Sequence, residues 1–235
     1  MKKTLTFVLL IFCFSGSFAQ SQFYNIALGV NAGLTMPFTD LNYKEGLPDV
    51  NNKRKLLMAP TFGGSLDYYF TPFLNAGVEY NMVSLKEGPD MHDREYTSDF
   101  SSIEIRAGVS LGQFVDYQYN DILYALRGLN LSLGYGIISG KNTAEKKHAA
   151  DIGKDKFENV SALPITIGYN FVFYNQYDEQ KVLLGLNLKT VFTNSDDING
   201  YNDDPNQGFK NKAKDFYSTF GISLKYMFGP RSLYY

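Results

Sequence analysis

The feature that most constrains this chain is an alternation of apolar with small or polar residues that recurs eight times. In the first segment, apolar side chains occupy every even position from Tyr24 to Met36, and Asn, Gly, Ala and Thr occupy the odd ones. Successive strand residues point to opposite faces, whereas an amphipathic helix repeats its apolar residues every three or four positions. The alternation therefore predicts strands with one apolar and one polar face. The eight segments are 24–36, 56–70, 73–86, 100–113, 128–139, 160–174, 181–193 and 215–228.

The connections between these segments fall into two alternating sets. One set, at 70–73, 114–127 and 174–181, contains a tight turn and two further connections, and the other set is long and charged. An even number of strands joined in sequence is typical of an up-and-down barrel, which leaves no unpaired edge. We predict an all-β fold, a closed eight-stranded antiparallel up-and-down transmembrane β-barrel. Its long loops are 37–55, 87–99, 140–159 and 194–214.

The N-terminus has the pattern of a secretory signal peptide, predicted over residues 1–19. Two lysines precede an apolar stretch at 5–14, and the small residues Ser17 and Ala19 precede a cleavage point between Ala19 and Gln20. No run of about 18 apolar residues follows it, so helical membrane spans are excluded. The single cysteine, Cys13, lies within the signal, which excludes a disulfide framework from the mature chain. Residues 20–235 are predicted to form one outer-membrane β-barrel domain.

Period two alone does not say which face of the barrel is outside. A soluble barrel of the lipocalin type buries its apolar face, whereas a membrane barrel turns that face to lipid. Small residues dominate the polar face, as the crowded interior of a narrow barrel requires, and its few charges balance as buried charges must. The sequence therefore favours the membrane barrel, with a luminal charge network. The network residues are Asp67, Glu79 and Glu104 against Arg106, Lys189 and Lys225.

Aromatic residues near the ends of the predicted strands are candidates for girdles at the two membrane interfaces, where lipid is the expected partner. These residues are Tyr24, Tyr68, Phe70, Phe73, Tyr169, Phe171, Phe173, Tyr226 and Phe228.

The pattern, together with the segments 24–34, 163–169 and 192–197, resembles the eight-stranded barrel of outer-membrane protein A in its Bacteroidota form. The resemblance covers residues 23–228 and implies an outer-membrane location and insertion by the barrel assembly machinery. The tail 229–235 runs past the pattern, and no peptidoglycan-binding domain follows, so a cell-wall tether is not implied. The residues that match the barrel-assembly signal are Thr219, Gly221, Leu224, Tyr226 and Phe228.

The long loops carry the candidate chemistry. His92 stands between acidic residues, which is one element of a catalytic or metal site, but no nucleophile or second base accompanies it or His148. The acidic stretches at 196–200 and 203–204 offer oxygen ligands for calcium, although they lack the terminal glutamate of a helix-loop-helix site and a solvated loop is the simpler reading. No catalytic, cofactor-binding or metal-binding residue is assigned.

Three functions remain open from the sequence. The leading hypothesis is a non-enzymatic barrel, structural or partner-binding through its long loops, such as an accessory subunit of an envelope complex. The second is a narrow pore lined by the inward charges, and the third is a small membrane enzyme acting on lipid or peptide. A formal net charge of −2 excludes a strongly basic nucleic-acid binder.

Overall fold

The computed structural model describes residues 21–38, 57–87, 96–117, 120–144, 156–195, 198 and 214–234. Each strand pairs antiparallel with the next, and the last pairs with the first, from Ser21 opposite Tyr234 to Phe38 opposite Phe216. The predicted closed eight-stranded barrel is confirmed. The signal peptide, both histidines and the acidic stretches other than Ile198 lie outside the described residues. The strands are β1 (Ser21–Phe38), β2 (Ala59–Thr71), β3 (Leu74–Glu87), β4 (Tyr96–Ser110), β5 (Leu129–Ala144), β6 (Lys156–Tyr174), β7 (Gln180–Thr193) and β8 (Phe216–Tyr234).

The connection from β4 to β5 is the most elaborate one that the structure describes. It opens with a 3-10 turn, Leu111–Gln113, and ends with a short helix, α1 (Asp121–Leu126). The Asn120 side chain caps α1 by accepting hydrogen bonds from the backbone N–H groups of Ile122 and Leu123, at 3.0 and 3.2 Å. In the described part of the chain, no helix has the length and hydropathy of a membrane span.

The outer wall of the barrel is apolar over the middle of every strand. Val30 is 61% exposed and Ile105 is 68% exposed, and equivalent positions around the barrel carry Leu, Ile, Phe and Tyr. A soluble protein rarely exposes a continuous apolar band of this kind, whereas a barrel in a bilayer requires it. The lipocalin-like alternative is therefore wrong for this part of the barrel, because its apolar face points outward.

The polarity of the wall inverts where β3, β4 and β5 approach the long-loop rim. There the outward row consists of Ser84, Asp99 and Lys141, which are neighbours across the three strands. The inward side chains at the same level are apolar, such as Leu85 and Phe100. This part of the barrel is built like a soluble one, polar outside and apolar inside, and so it stands beyond the bilayer.

The inversion explains where the predicted strand ends are wrong. Residues 96–99, 140–144 and 156–159 were expected in loops but are strand, so the connections at 87–99 and 140–159 are shorter than predicted. Residues 96–99 and 140–144 continue the alternation with its faces exchanged, whereas 156–159 include a register shift at Asn159, whose φ is 58°. The sequence pattern of one continuous apolar face therefore ends before the strand does.

The tail after Phe228 also belongs to a strand. It continues β8 to Tyr234 beyond a register shift opposite Tyr24 and Ile26, and Gly229 there adopts a φ of 90°. Such a backbone conformation favours glycine, because a side chain would meet its own carbonyl group. The tail therefore extends the seam with β1 rather than leaving the barrel.

Two of the predicted girdle residues do not face lipid. Phe73 is buried under the lumen, where its ring packs edge-on against those of Tyr117 and Tyr234. Tyr24 is buried because Lys181 covers its ring, with Nζ 3.8 Å from the centroid. The girdle residues that are exposed are Tyr68, Phe70, Phe171, Phe173, Tyr226 and Phe228, and Tyr169 is half-buried.

Candidate functional site in the barrel lumen

The structure brings all six predicted luminal charges into one continuous chain of ion pairs. Lys225 Nζ lies 2.8 Å from Asp67 Oδ2, and Arg106 contacts both oxygens of Asp67 through Nη2, at 2.7 and 2.9 Å. Arg106 Nε lies 3.1 Å from Glu79 Oε2, and Lys189 Nζ lies 3.0 Å from Glu79 Oε1. This series of six side chains, the charge chain, therefore alternates between positive and negative charges and carries no net charge.

Lys189 also joins the sixth charge to the chain, since its Nζ lies 2.5 Å from Glu104 Oε2. The other oxygen of Glu104 accepts a hydrogen bond from the Ser102 hydroxyl, at 2.9 Å, and lies 3.4 Å from Asn81 Nδ2. The Glu104 and Asp67 residues are each only 1% exposed. A buried carboxylate is tolerated only when it is paired and hydrogen-bonded, and both conditions are met here.

Glycines on the inward face make room for these side chains. A Cβ atom on Gly77 would lie 2.4 Å from Asp67 Oδ1 and 2.5 Å from the carbonyl oxygen of Leu66. A Cβ atom on Gly136 would lie 2.7 Å from Glu104 Cγ. Both approaches are closer than van der Waals contact, so the narrow barrel holds its charge chain only where the facing strand has no side chain.

Apolar layers lie above and below the charge chain inside the lumen. The layer at the long-loop end is centred on Phe100, whose ring lies 5.9 Å from that of Phe157 and 5.4 Å from that of Tyr217. The layer at the short-turn end packs Tyr69, Leu183 and Met227 with Phe23 and Ala27, which are all nearly fully buried. Packed apolar side chains thus lie between the charges and each end of the barrel, while the cavity beside the charges extends to Phe73 and Arg127 at the short-turn end.

The space left inside the lumen is small and is lined by both polar and apolar side chains. The cavity measures about 100 Å³ and is lined by the charge chain and by amides such as Asn130, Asn170 and Asn187. A buried water needs on the order of 10–15 Å³ of such space. This lumen therefore accommodates several waters beside the charge chain.

The residues of the predicted barrel-assembly signal lie on β8, beside the seam that closes the barrel. Leu224, Tyr226 and Phe228 face outward, whereas Thr219 and Gly221 line the lumen. Their recognition by an assembly machinery stays a prediction. Among the residues that the structure describes, no group of three or more His, Cys, Asp or Glu side chains is placed to hold a metal ion.

A second charged group, which the sequence analysis missed, lies at the short-turn rim. Glu179 accepts hydrogen bonds from Asn175 Nδ2 at 2.7 Å and from the Tyr24 hydroxyl at 3.0 Å, and it pairs with Arg231 Nη1 at 2.9 Å. The pKa of Glu179 lies below its ordinary value, chiefly because of the hydrogen bond from Asn175 and to a smaller extent because of Tyr24 and Arg231. The group ties both chain ends of the barrel to the β6–β7 turn.

Comparison of the structure with solved structures finds similar barrels, whereas comparison of the sequence finds no matching family. No protein-family description matches the sequence, and no curated protein matches it. The structure of Neisserial surface protein A aligns with a TM-score of 0.48 at 12% identity, covering 90% of this chain and 100% of that one. Ail of Yersinia pestis aligns with a TM-score of 0.40 at 12% identity, covering 87% of this chain and 99% of that one. CarO of Acinetobacter baumannii aligns with a TM-score of 0.41 at 10% identity, covering 84% of this chain and 97% of that one.

Proposed function

We propose that this chain is an outer-membrane β-barrel that works without catalysis, as a rigid scaffold whose long loops bind a partner in the envelope. The observation that carries the proposal is the closed lumen, in which a neutral charge chain lies between two packed apolar layers. An interior arranged in this way contributes stiffness rather than transport or chemistry. The surface that remains for function is the one formed by the long loops between β1 and β2, β3 and β4, β5 and β6, and β7 and β8.

The shape of the long-loop end supports the same proposal. β3, β4 and β5 extend past the apolar band, with a polar exterior and an apolar core that includes Leu85, Tyr96 and Ile138. Strands that continue beyond the bilayer hold the loop bases at a fixed height above the membrane. A raised and internally packed base suits a binding surface, since less conformational freedom is lost when a partner docks.

The narrow pore is the less favoured alternative. Ions crossing the lumen would have to displace the apolar layers around Phe100 and Met227, and would enter a compartment whose charges are already paired. The enzyme hypothesis depends on His92, which lies outside the described residues and stays a prediction. We therefore place the role of the chain in its contacts, as a partner-binding or accessory subunit of an envelope complex.

Site-specific photo-crosslinking in native envelopes tests the proposal. A photoreactive side chain is placed at Lys147 in one long loop and at Lys210 in another, and at Leu131 on the lipid-facing wall as the matched control. We expect discrete protein adducts from a loop position and none from Leu131, because only the loops face a partner. Absence of protein adducts from both Lys147 and Lys210, with the barrel correctly folded, would refute binding of an envelope protein through these two loops.

A further inference from the structure

The helix α1 has no buried residue, and its apolar face formed by Ile122 and Leu126 is free. Its Tyr124 ring packs against Tyr117, at 6.2 Å between centroids, and Tyr117 in turn packs against Phe73 under the lumen. Residues of a helix turn by about 100° each, so Ile122 and Leu126 share a face that is nearly opposite to Tyr124. This free face points away from the lumen, and its Ile122 is 70% exposed and its Leu126 42% exposed.

The end of α1 is fixed to the lipid-facing wall. The hydroxyl of Tyr169, an outward residue of β6, donates a hydrogen bond to the carbonyl oxygen of Ala125. The Tyr169 ring packs edge-on against Phe171, which is exposed on the same wall, at 4.7 Å between centroids. The free face of α1 therefore adjoins the apolar band of the barrel at the level of its aromatic girdle.

The polar groups of α1 are placed as an interfacial helix requires. Arg127 follows its last turn, with the guanidinium 3.6 Å from the centre of the Tyr124 ring and Nη1 donating to the Tyr124 carbonyl oxygen at 2.6 Å. Asn120 and Asp121 stand at the other end, and both are exposed. Helices that lie in a membrane surface combine an apolar face with basic and tyrosine side chains at the headgroup level.

We infer that α1 is a membrane-surface helix, whose Ile122–Leu126 face is buried in the periplasmic leaflet of the bilayer that surrounds the barrel. The occupant of this face is lipid, because the face continues the lipid-facing wall through Tyr169, whereas Tyr124 on the opposite face is held against Tyr117 and Arg127. The helix thereby anchors the connection 111–128 beneath the lumen, where Tyr117 and Phe73 lie. The inference concerns the short-turn end of the barrel and does not depend on what the loops bind.

The chain contains no tryptophan, so a single introduced tryptophan reports its own surroundings. Ile122→Trp is compared with Asp121→Trp, on another face of the same helix, and with Leu131→Trp, on the barrel wall. Each variant is reconstituted in phospholipid vesicles, with and without bromine atoms on the acyl chains. We expect Ile122→Trp to show a blue-shifted emission and strong quenching by brominated lipid, close to the values for Leu131→Trp, whereas Asp121→Trp is quenched several-fold less.

Each outcome of this comparison decides the inference. Absence of quenching of Ile122→Trp would overturn it: emission at the wavelength of a hydrated indole would place this face in water, and blue-shifted emission would place it against protein. Equal quenching of Ile122→Trp and Asp121→Trp would overturn the assigned face. Because Ile122 makes few contacts, the variant is expected to keep the heat-dependent gel mobility of a folded barrel, which serves as the control for folding.

Discussion

Replacing Lys189 by methionine removes the cation that joins the last carboxylate to the luminal charge chain. Lys189 Nζ lies 2.5 Å from Glu104 and 3.0 Å from Glu79, and Glu79 keeps Arg106 as a second partner when the lysine is lost. Glu104 keeps only neutral hydrogen-bond partners, Ser102 and Asn81. The variant therefore leaves one buried carboxylate without a counterion.

The magnitude follows from the geometry. At an effective dielectric constant of 20, the Coulomb attraction between unit charges 2.5 Å apart is about 6–7 kcal/mol. Part of this attraction offsets the loss of hydration of the two charges, and removing one member of a buried pair costs about 3–5 kcal/mol in net stability. We expect Lys189→Met to lower the free energy of unfolding by that amount. Adding Glu104→Gln should recover most of the loss, because the four remaining charges still alternate from Lys225 to Glu79.

The assay is urea unfolding in lipid vesicles, followed by the shift in gel mobility between folded and unfolded barrel. Lys141→Met is the matched control, since Lys141 is an exposed lysine on the outer face of β5 and its loss should change stability by less than about 0.5 kcal/mol. The reasoning is refuted if Lys189→Met unfolds at the wild-type urea concentration. It is equally refuted if the double variant is less stable than Lys189→Met alone.

Three further predictions concern other parts of the barrel. In planar-bilayer recordings the wild-type protein should show no conductance, and Tyr69→Ala should show none either, because one apolar layer remains. Discrete conductance is expected only when Tyr217→Ala is added to Tyr69→Ala. Conductance in the wild type would contradict the closed lumen. Gly77→Ala should destabilise the barrel by about 1–3 kcal/mol in the same urea assay, because its Cβ would overlap backbone that has no space to move. The stability that Glu179 contributes to the β6–β7 turn should be complete at neutral pH and disappear as the pH falls through its lowered pKa. Asn175→Ala should raise that pKa toward its ordinary value, as measured by NMR titration of the carboxyl group. An unchanged titration would exclude Asn175 as the cause.

The parts of this structure that follow from local pattern were predictable from sequence. The eight strands and their outward faces follow from period two, and the six luminal charges stand out because each interrupts a polar face made of small residues. The order in which they pair was not predictable, since it depends on how the closed ladder sets the height of β7 against β3 and β4. The apolar layers were missed for a related reason. Tyr69, Val83 and Ile138 occupy polar-face positions near strand ends, where the alternation exchanges its faces.

The six luminal charges are divided unequally between two arcs of the wall. The first arc has two excess negative charges, because it holds Asp67 on β2, Glu79 on β3, and Glu104 and Arg106 on β4. The other arc has two positive charges, Lys189 on β7 and Lys225 on β8. Neither arc is able to neutralise itself before the β1–β8 seam has formed. Ring closure therefore brings the two arcs into neutralising contact, and in a half-closed barrel their opposite charges attract each other across the gap. The order of charges along the chain thus favours completion of the ring over the open sheet.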